Sequence, residues 1–352
     1  MNKDDLGNKI AKTVIEKFNN LKITSGKPII RSNGIKEWTV LASIVAITND
    51  EITPITLATG VKVLPNKVRQ YSNGLIVHDM HAEVLALRLF NLFLLGESQN
   101  PNSNWVKLEG EKFQFNKEIK LALFITEPPC GDASMTYLSN NLESNEPWEL
   151  REGDLTFNRG RNNFNQLGIV RTKPGRSDSL ISYSKSCSDK ICLKQLIGIC
   201  NSITSTIFQP IYLNYLVVKN INEEDFNRCF LKRLESDHPL KLITYDLDIY
   251  EFNKSNDKVP SPLSLLYICP SNTIQILNNG VKNGSYIKNK PPKPGGESII
   301  CNQGLIKKYP KRINSKSYDE FKRSNIERET LKLKGQSILQ NWKHSDVDDF
   351  NL

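Results

Sequence analysis

Nowhere does this 352-residue chain carry an apolar run long enough to cross a membrane. The longest, Val84 to Leu95, is interrupted by Arg88 and Asn91 and falls far short of the ~20 residues a spanning helix needs. No leader is legible either: the chain opens Met1-Asn2-Lys3-Asp4-Asp5 with no apolar segment behind it, so neither a signal peptide nor a transit peptide is expected. Cysteine is sparse and odd in number, seven in all, without the spacing of a disulfide framework. Such thiols belong to a reducing compartment, where they fill cores or bind metal, so a nuclear or cytoplasmic protein that is not secreted is expected. With 38% hydrophobic and 24% charged residues, the composition excludes a disordered tail or a coiled coil and suffices for one large core or two smaller ones.

Charge is plentiful and uneven. Lys plus Arg (47) exceeds Asp plus Glu (38) by nine, and the segment from Lys282 to Lys334, with 14 basic and 5 acidic residues, carries the whole surplus. A second basic stretch, Leu155 to Lys185, sets Arg159, Arg161, Arg171, Lys173, Arg176 and Lys185 against Asp178 alone. Two basic surfaces point to a polyanionic partner.

Leu6, Ile10, Val14 and Phe18 recur every fourth residue behind Asp4 and Asp5, which predicts an amphipathic first helix. The runs 37–48 and 51–59 read as a hairpin about Asn49-Asp50. A helix over 82–95 follows, then an apolar strand over 119–125 stopped by Pro128-Pro129, and a helix starting near Cys130. Beyond the Gly- and Arg-rich insertion, a long helix from about Cys187 to Ile207 ends at Pro210 and leads to a strand over 211–218. Fully apolar strands between helices imply a sheet covered on both faces, an α/β/α sandwich. The last third offers strands at 242–250, 263–268 and 273–277, a Pro- and Gly-rich connector at 288–296, and a final helix from about Tyr318 to Leu339.

The chemistry concentrates in His81-Ala82-Glu83 at a helix start and Glu127-Pro128-Pro129-Cys130-Gly131-Asp132 at a strand-to-helix junction. In zinc deaminases one His and two Cys hold Zn²⁺ and leave a fourth position for water, while a Glu two residues after the His moves protons without binding the metal. Zinc lowers the pKa of that water toward neutrality. The usual second Cys, three residues after the first, is absent because position 133 is Ala. A replacement at another helix N-terminus would have its thiolate favoured by the helix dipole. Cys187, in Ser186-Cys187-Ser188-Asp189-Lys190 ahead of an apolar-periodic helix, fits best; Cys192 and Cys200 fall inside that helix. His78 has no Glu two residues later and reads as a structural residue.

Taken together, His81-Ala-Glu83, Pro129-Cys130-Gly-Asp and Ser186-Cys187-Ser-Asp-Lys190 resemble the adenosine deaminases acting on RNA, a likeness that continues through Gln209-Pro210-Ile211-Tyr212-Leu213 and covers the chain from about Trp38 onward. The resemblance implies a cytidine-deaminase-like three-layer α/β/α fold with a C-terminal α+β extension. It implies one deaminase domain over 1–352, with a zinc core at about 37–240 and a basic C-terminal part at about 241–352. Arg171-Thr172-Lys173-Pro174-Gly175-Arg176-Ser177-Asp178 resembles the tRNA branch of the family, which converts adenosine to inosine next to the anticodon of alanine tRNA, at adenosine 37. Glu83 is then the catalytic proton carrier and His81, Cys130 and Cys187 the zinc ligands. Asp178 falls where the editors keep an acidic residue that fills the space left by a flipped base. Lys62, in Thr59-Gly60-Val61-Lys62, matches a phosphate contact. Arg159-Gly160-Arg161, Lys173 and Arg176 complete the expected RNA surface.

The family also buries an inositol hexakisphosphate, and its ligands match here at Arg88, Lys190, Ser202, Tyr318, Lys322, Lys332 and Lys343. On a single helix, Lys322 and Lys332 would fall within about 40° of Tyr318 at ~100° per residue, which makes one face. A duplex RNA editor without accessory domains, and a non-catalytic zinc-bearing RNA-binding subunit, are the rival readings. The expected partner is tRNA, with no membrane and no protein partner.

Overall fold

The computed structural model describes residues 3–49, 51–141, 157–160, 166–173 and 178–352. Helix α1 (Lys3–Asn19) follows the predicted spacing and buries Ile10, Val14 and Phe18 completely. Strands β1 (Lys36–Trp38), β2 (Leu41–Thr48), β3 (Glu51–Pro54) and β4 (Thr56–Thr59) come next. The return run expected as one strand is two: Pro54 has no N–H to donate, and the ladder resumes where the Ile55 N–H meets the Ile44 carbonyl at 2.8 Å. Strands β5 (Val61–Val63) and β6 (Asp79–His81) pair antiparallel with Val61 opposite His81, and His81 runs directly into α2 (Ala82–Glu97).

A hairpin of β7 (Val106–Glu109) and β8 (Lys112–Phe115) precedes the apolar strand β9 (Lys120–Ile125) and the short α3 (Met135–Asn141). Helix α4 (Cys187–Ile197) stops ten residues before the expected Ile207, because Gly198 takes a left-handed φ of 74° and leads the chain away. After β10 (Tyr215–Val218) come α5 (Glu223–Phe226), β11 (Lys241–Thr244), β12 (Lys258–Pro260), β13 (Leu263–Ile268), β14 (Thr273–Asn278), β15 (Val281–Lys282) and α6 (Asn302–Ile306). The final helix is also two, α7 (Tyr318–Arg323) and α8 (Ile326–Leu339), because Asn325 caps the second by accepting the Arg328 N–H at 3.1 Å. Tyr318 and Lys322 therefore share one helix and Lys332 lies on the next, so the single face drawn for the three does not exist.

The main sheet runs β11-β10-β9-β2-β4-β13-β14-β15, with β3 also paired to β2. Strands β9, β10 and β11 are mutually parallel, and the other neighbours are antiparallel. Along β9, Leu121, Leu123 and Ile125 enter an apolar cluster with Leu85 and Phe90 of α2 and Ile191 of α4, while Ala122 and Phe124 enter another with Ile10, Val14 and Phe18 of α1. Alternate residues buried in two different clusters mean that helices cover both faces of this mixed α/β sheet. At one end of the sheet Ala42 stands opposite Ile125 and Leu41 opposite Thr59. Beyond that end β9 continues to Cys130, and β4 continues through β5 to the strand that carries His81. Among the described residues no helix is long and apolar enough to cross a membrane.

Candidate active site

His81 is the last residue of β6 and the N-cap of α2, with extended φ −67° and ψ 139°. Its N–H donates to Asp79 Oδ1 at 3.1 Å. Glu83 lies in the first turn of α2 and is 4% exposed. Burial pushes its carboxyl pKa up, against the opposing pull of His81 and Lys173.

Cys130 and Cys187 are brought together by two loops that touch closely. The Cys130 carbonyl accepts the Ser188 N–H at 3.0 Å, the Pro129 carbonyl accepts the Ser188 hydroxyl at 2.9 Å, and Ser188 Oγ accepts the Ala133 N–H at 3.1 Å. A Cβ on Gly131, whose φ is +106°, would sit 2.2 Å from Ser186 Oγ, so only glycine permits this approach. Ser186 caps α4 by accepting the Asp189 N–H at 3.1 Å and donates its hydroxyl to Asp189 Oδ2 at 2.6 Å. Arg233 donates to Asp189 at 2.6 Å, and Arg228 bonds the neighbouring Asp132 at 3.2 Å. Both loops are thereby pinned to one pair of guanidiniums.

The ligand atoms of His81, Cys130 and Cys187 all lie within 4.8 Å of one another. The Cys187 N–H, at the start of α4, points to Cys130 Sγ at 3.4 Å, and His81 Nδ1 is 3.6 Å from the same sulfur. The Cys187 side chain holds the Cys130 thiol well below its ordinary pKa despite burial, with Lys173 and His81 adding to the effect, while burial and the Cys130 sulfur push the Cys187 thiol well above its own. This is one softened thiolate, one second thiol and one imidazole, the donor set that suits zinc. Elsewhere burial pushes Cys192 up to about 12 and Cys200 up to about 11, and neither sulfur lies in the gathered group.

Behind the group lies a buried ionic hub that the sequence reading missed. Asp79 receives the Lys173 ammonium at 2.8 and 2.9 Å, the Ser184 hydroxyl at 2.8 Å, and the Lys190 ammonium as well. Burial alone would raise this carboxyl, yet Lys173 and Lys190 overcome it and hold its pKa well below the usual range. Lys173 also donates to Cys187 Sγ at 3.1 Å, linking the hub to the thiol. His78 stands apart: its Nε2 meets Asp348 Oδ2 at 2.8 Å, and Asp348 also accepts from Ser72 Oγ and the Gly74 N–H.

Residues 56–344 match the adenosine-deaminase (editase) domain family, so the chain belongs to that family and is a hydrolytic deaminase. Its similarity to particular members is graded. It is 36% identical to tRNA-specific adenosine deaminase 1 of Saccharomyces cerevisiae, over 98% of this chain and 94% of that protein. The same identity and coverage of this chain hold for the Schizosaccharomyces pombe protein of that name, 97% of which is matched. Double-stranded RNA-specific editase B2 of Mus musculus is 24% identical over 62% of this chain and only 31% of its own length.

The residues expected to meet RNA divide. Arg161 and Arg176 lie outside the described residues. Lys173 is 3% exposed and committed to Asp79 and Cys187, and Arg159 is 1% exposed and donates to the Ser179 carbonyl, so the structure places both inside rather than on a phosphate-facing surface. Lys62 is half-buried on β5, opposite Met80, and Asp178 is exposed in a turn.

Of the expected polyanion ligands, Arg88 holds the Ile300 carbonyl at 2.8 Å and Asn302 Oδ1 at 3.0 Å. Lys332 pairs with Glu329 at 2.8 Å, the Lys343 ammonium lies 5.3 Å from the centre of the Tyr183 ring, Tyr318 is buried, and Ser202 is half-buried at the start of the turn after α4. Burial lowers the pKa of Lys190 and Lys322, and Lys332 repels the latter. Two lysines outside that expected ligand set join them: burial first, then neighbouring cations, push Lys185 and Lys194 down to about 7.

Proposed function

We propose that this protein converts adenosine to inosine in tRNA, at adenosine 37 beside the anticodon of alanine tRNA. The observation that carries the reading is the closely gathered His81, Cys130 and Cys187 beside the buried Glu83, in a chain that matches relatives named for tRNA over almost its whole length. The donor set fits zinc: a thiol softened by the neighbouring Cys187 side chain and by Lys173, a second thiol, and an imidazole oriented through its backbone by Asp79. Bound there, zinc would supply a water of lowered pKa.

The chain's own groups do the rest. Glu83, raised toward neutrality by burial, takes a proton from the attacking water and returns one to the leaving amine, so that water and adenosine yield inosine and ammonia. Asp79 holds the His81 N–H and the Lys173 ammonium, and Lys173 stabilises negative charge on Cys187.

The crowded cations Arg88, Lys185, Lys190, Lys194, Lys322, Lys332 and Lys343 support a buried polyphosphate, inositol hexakisphosphate, with Tyr318 and Ser202 at its edge. Several buried ammoniums with too few carboxylates are costly until a compact anion joins them. We read the sheet with its two covered faces as the three-layer arrangement of cytidine-deaminase-like enzymes, within a single domain. A non-catalytic subunit would have no use for a buried Glu83, and a duplex editor is the weaker match in coverage.

The test uses alanine tRNA transcribed without modification. Incubation with the zinc-loaded protein should produce inosine, read as guanosine on reverse transcription, at adenosine 37 and not in free adenosine. Conversion at other adenosines only, or only in long duplex RNA, contradicts the reading.

A further inference from the structure

The family match begins at residue 56, yet the chain before it is built into the protein next to the sheet end that leads on to His81 and Cys130. Strand β1 pairs in parallel with β12, with Lys36 opposite Lys258, Glu37 opposite Val259 and Trp38 opposite Pro260. The turn before it is closed by the Arg31 N–H on the Ile35 carbonyl at 2.9 Å and the Gly34 N–H on the Arg31 carbonyl at 2.9 Å. Arg31 is fixed by its Nε on Glu37 Oε1 at 3.0 Å, and Glu37 is almost fully buried. The position of this lip is set by these contacts and by connectivity. Trp38 stands three residues before Leu41, at the sheet end where β4 and β9 deliver the chain toward His81 and Cys130.

Two further contacts tie the lip to the site. Lys62, one residue from the Val61 that faces His81, lies close enough to Arg31 and Glu37 to feel both charges. On the other side the exposed Lys254 ammonium lies 5.7 Å from the centre of the Trp38 ring and acts on Glu127, three residues before Cys130. The lip thus presents Lys36 and Lys254 at its surface, Lys254 beside the Trp38 indole, with Arg31 and the half-buried Lys62 near Glu37. Lys258 is occupied, with its ammonium on the Glu251 and Asn253 carbonyls at 3.0 Å. At the tip Ile29 and Ile30 are 60% and 66% exposed, an unusual outlay of branched apolar side chains beside cations.

Accepting that the substrate is tRNA, we propose that this N-terminal lip is a nucleic-acid contact surface that receives the strand next to the target nucleotide. Lys36 and Lys254 meet its phosphates, and Trp38 with the isoleucine tip lies against an unstacked base. Cations interleaved with an aromatic face are what a single-stranded loop requires, since bases stack on the ring while phosphates track the charges. A tRNA loop presents such a strand; a continuous duplex does not. The two yeast proteins named for tRNA align over 98% of the chain, a share that takes in the lip.

The test is Lys36→Ala with Lys254→Ala in the full-length protein, both positions being exposed and outside the catalytic group. KM for tRNA should rise by roughly an order of magnitude with kcat held, and the slope of log affinity against log salt should fall by about one for each phosphate contact removed. Binding of tRNA should quench Trp fluorescence in the wild type, and Trp38→Phe should remove most of that change without needing any charge variant to fold. Unchanged KM, salt slope and quenching, with wild-type protein active on tRNA, overturn the lip and leave the tRNA reading standing. A wild-type protein inert on tRNA overturns the reading itself, and the lip with it.

Discussion

Replacing Asp79 with Asn should unfold the protein earlier by an amount the buried hub sets. The substitution keeps size and shape but removes the carboxylate that answers both Lys173, at 2.8 Å, and Lys190. Lys173 is 3% exposed and would keep, of its close hydrogen-bond partners, the Cys187 Sγ at 3.1 Å. Breaking a buried pair by removing one partner costs about 3–5 kcal/mol. A chain of this length unfolds with an entropy of roughly 0.7 kcal/mol per kelvin, so the loss corresponds to about 4–7 °C in Tm. The pH dependence should change as well. Because the folded Asp79 pKa is depressed, its contribution is present above the unfolded value near ~3.9 and is lost as pH falls through the folded value. The variant should lack that part of the acid limb. Calorimetry of wild type and variant, each with the same metal content, reads both effects. A Tm shift under about 1 °C would refute the claim that Asp79 carries the buried Lys173 and the half-buried Lys190 ammoniums.

Other outcomes follow from the same geometry. Cys187→Ala should lower zinc content by elemental analysis whereas Cys192→Ala, a buried thiol within α4, should leave it unchanged; retention of zinc without Cys187 contradicts its place in the group. Lys194 is held near 7 by burial and by Arg328, while the unfolded chain keeps that proton to the ordinary value of ~10.4. Between those values the unfolded state binds more protons, so stability without polyphosphate should rise with pH, by at most ~1.4 kcal/mol per unit for this lysine. Urea unfolding at about pH 7 and about pH 9 checks the sign, and a profile equally steep with inositol hexakisphosphate bound would argue against the anion keeping the lysine charged.

The gathering of His81, Cys130 and Cys187 was legible because the residue types sit at telling places: a Glu two after a His at a helix start, and a Cys behind two prolines that end a strand. Cys187 could be chosen among seven cysteines because Ser186 caps the helix it opens. Asp79 was missed although a signal existed, since residues two apart on a strand share a face and Asp79 precedes His81 by two. Lys173 and Arg159 could not be placed from sequence. Whether a loop cation turns outward to phosphate or inward depends on partners the fold supplies, for Lys173 a buried carboxylate 94 residues away and for Arg159 the Ser179 carbonyl 20 residues on. Helix ends failed where a local cap overrode periodicity, at Gly198 and at Asn325, and both residue types were visible as stop and start signals.

The most direct measurement is sequencing of total tRNA after incubation with zinc-loaded wild-type protein or with Glu83→Gln. The account predicts a new adenosine-to-guanosine signal beside the alanine anticodon with wild type, and none with Glu83→Gln, which should keep its zinc and its affinity for tRNA. Full inosine formation by the Glu83→Gln protein, or no inosine in any tRNA with wild type, would contradict it.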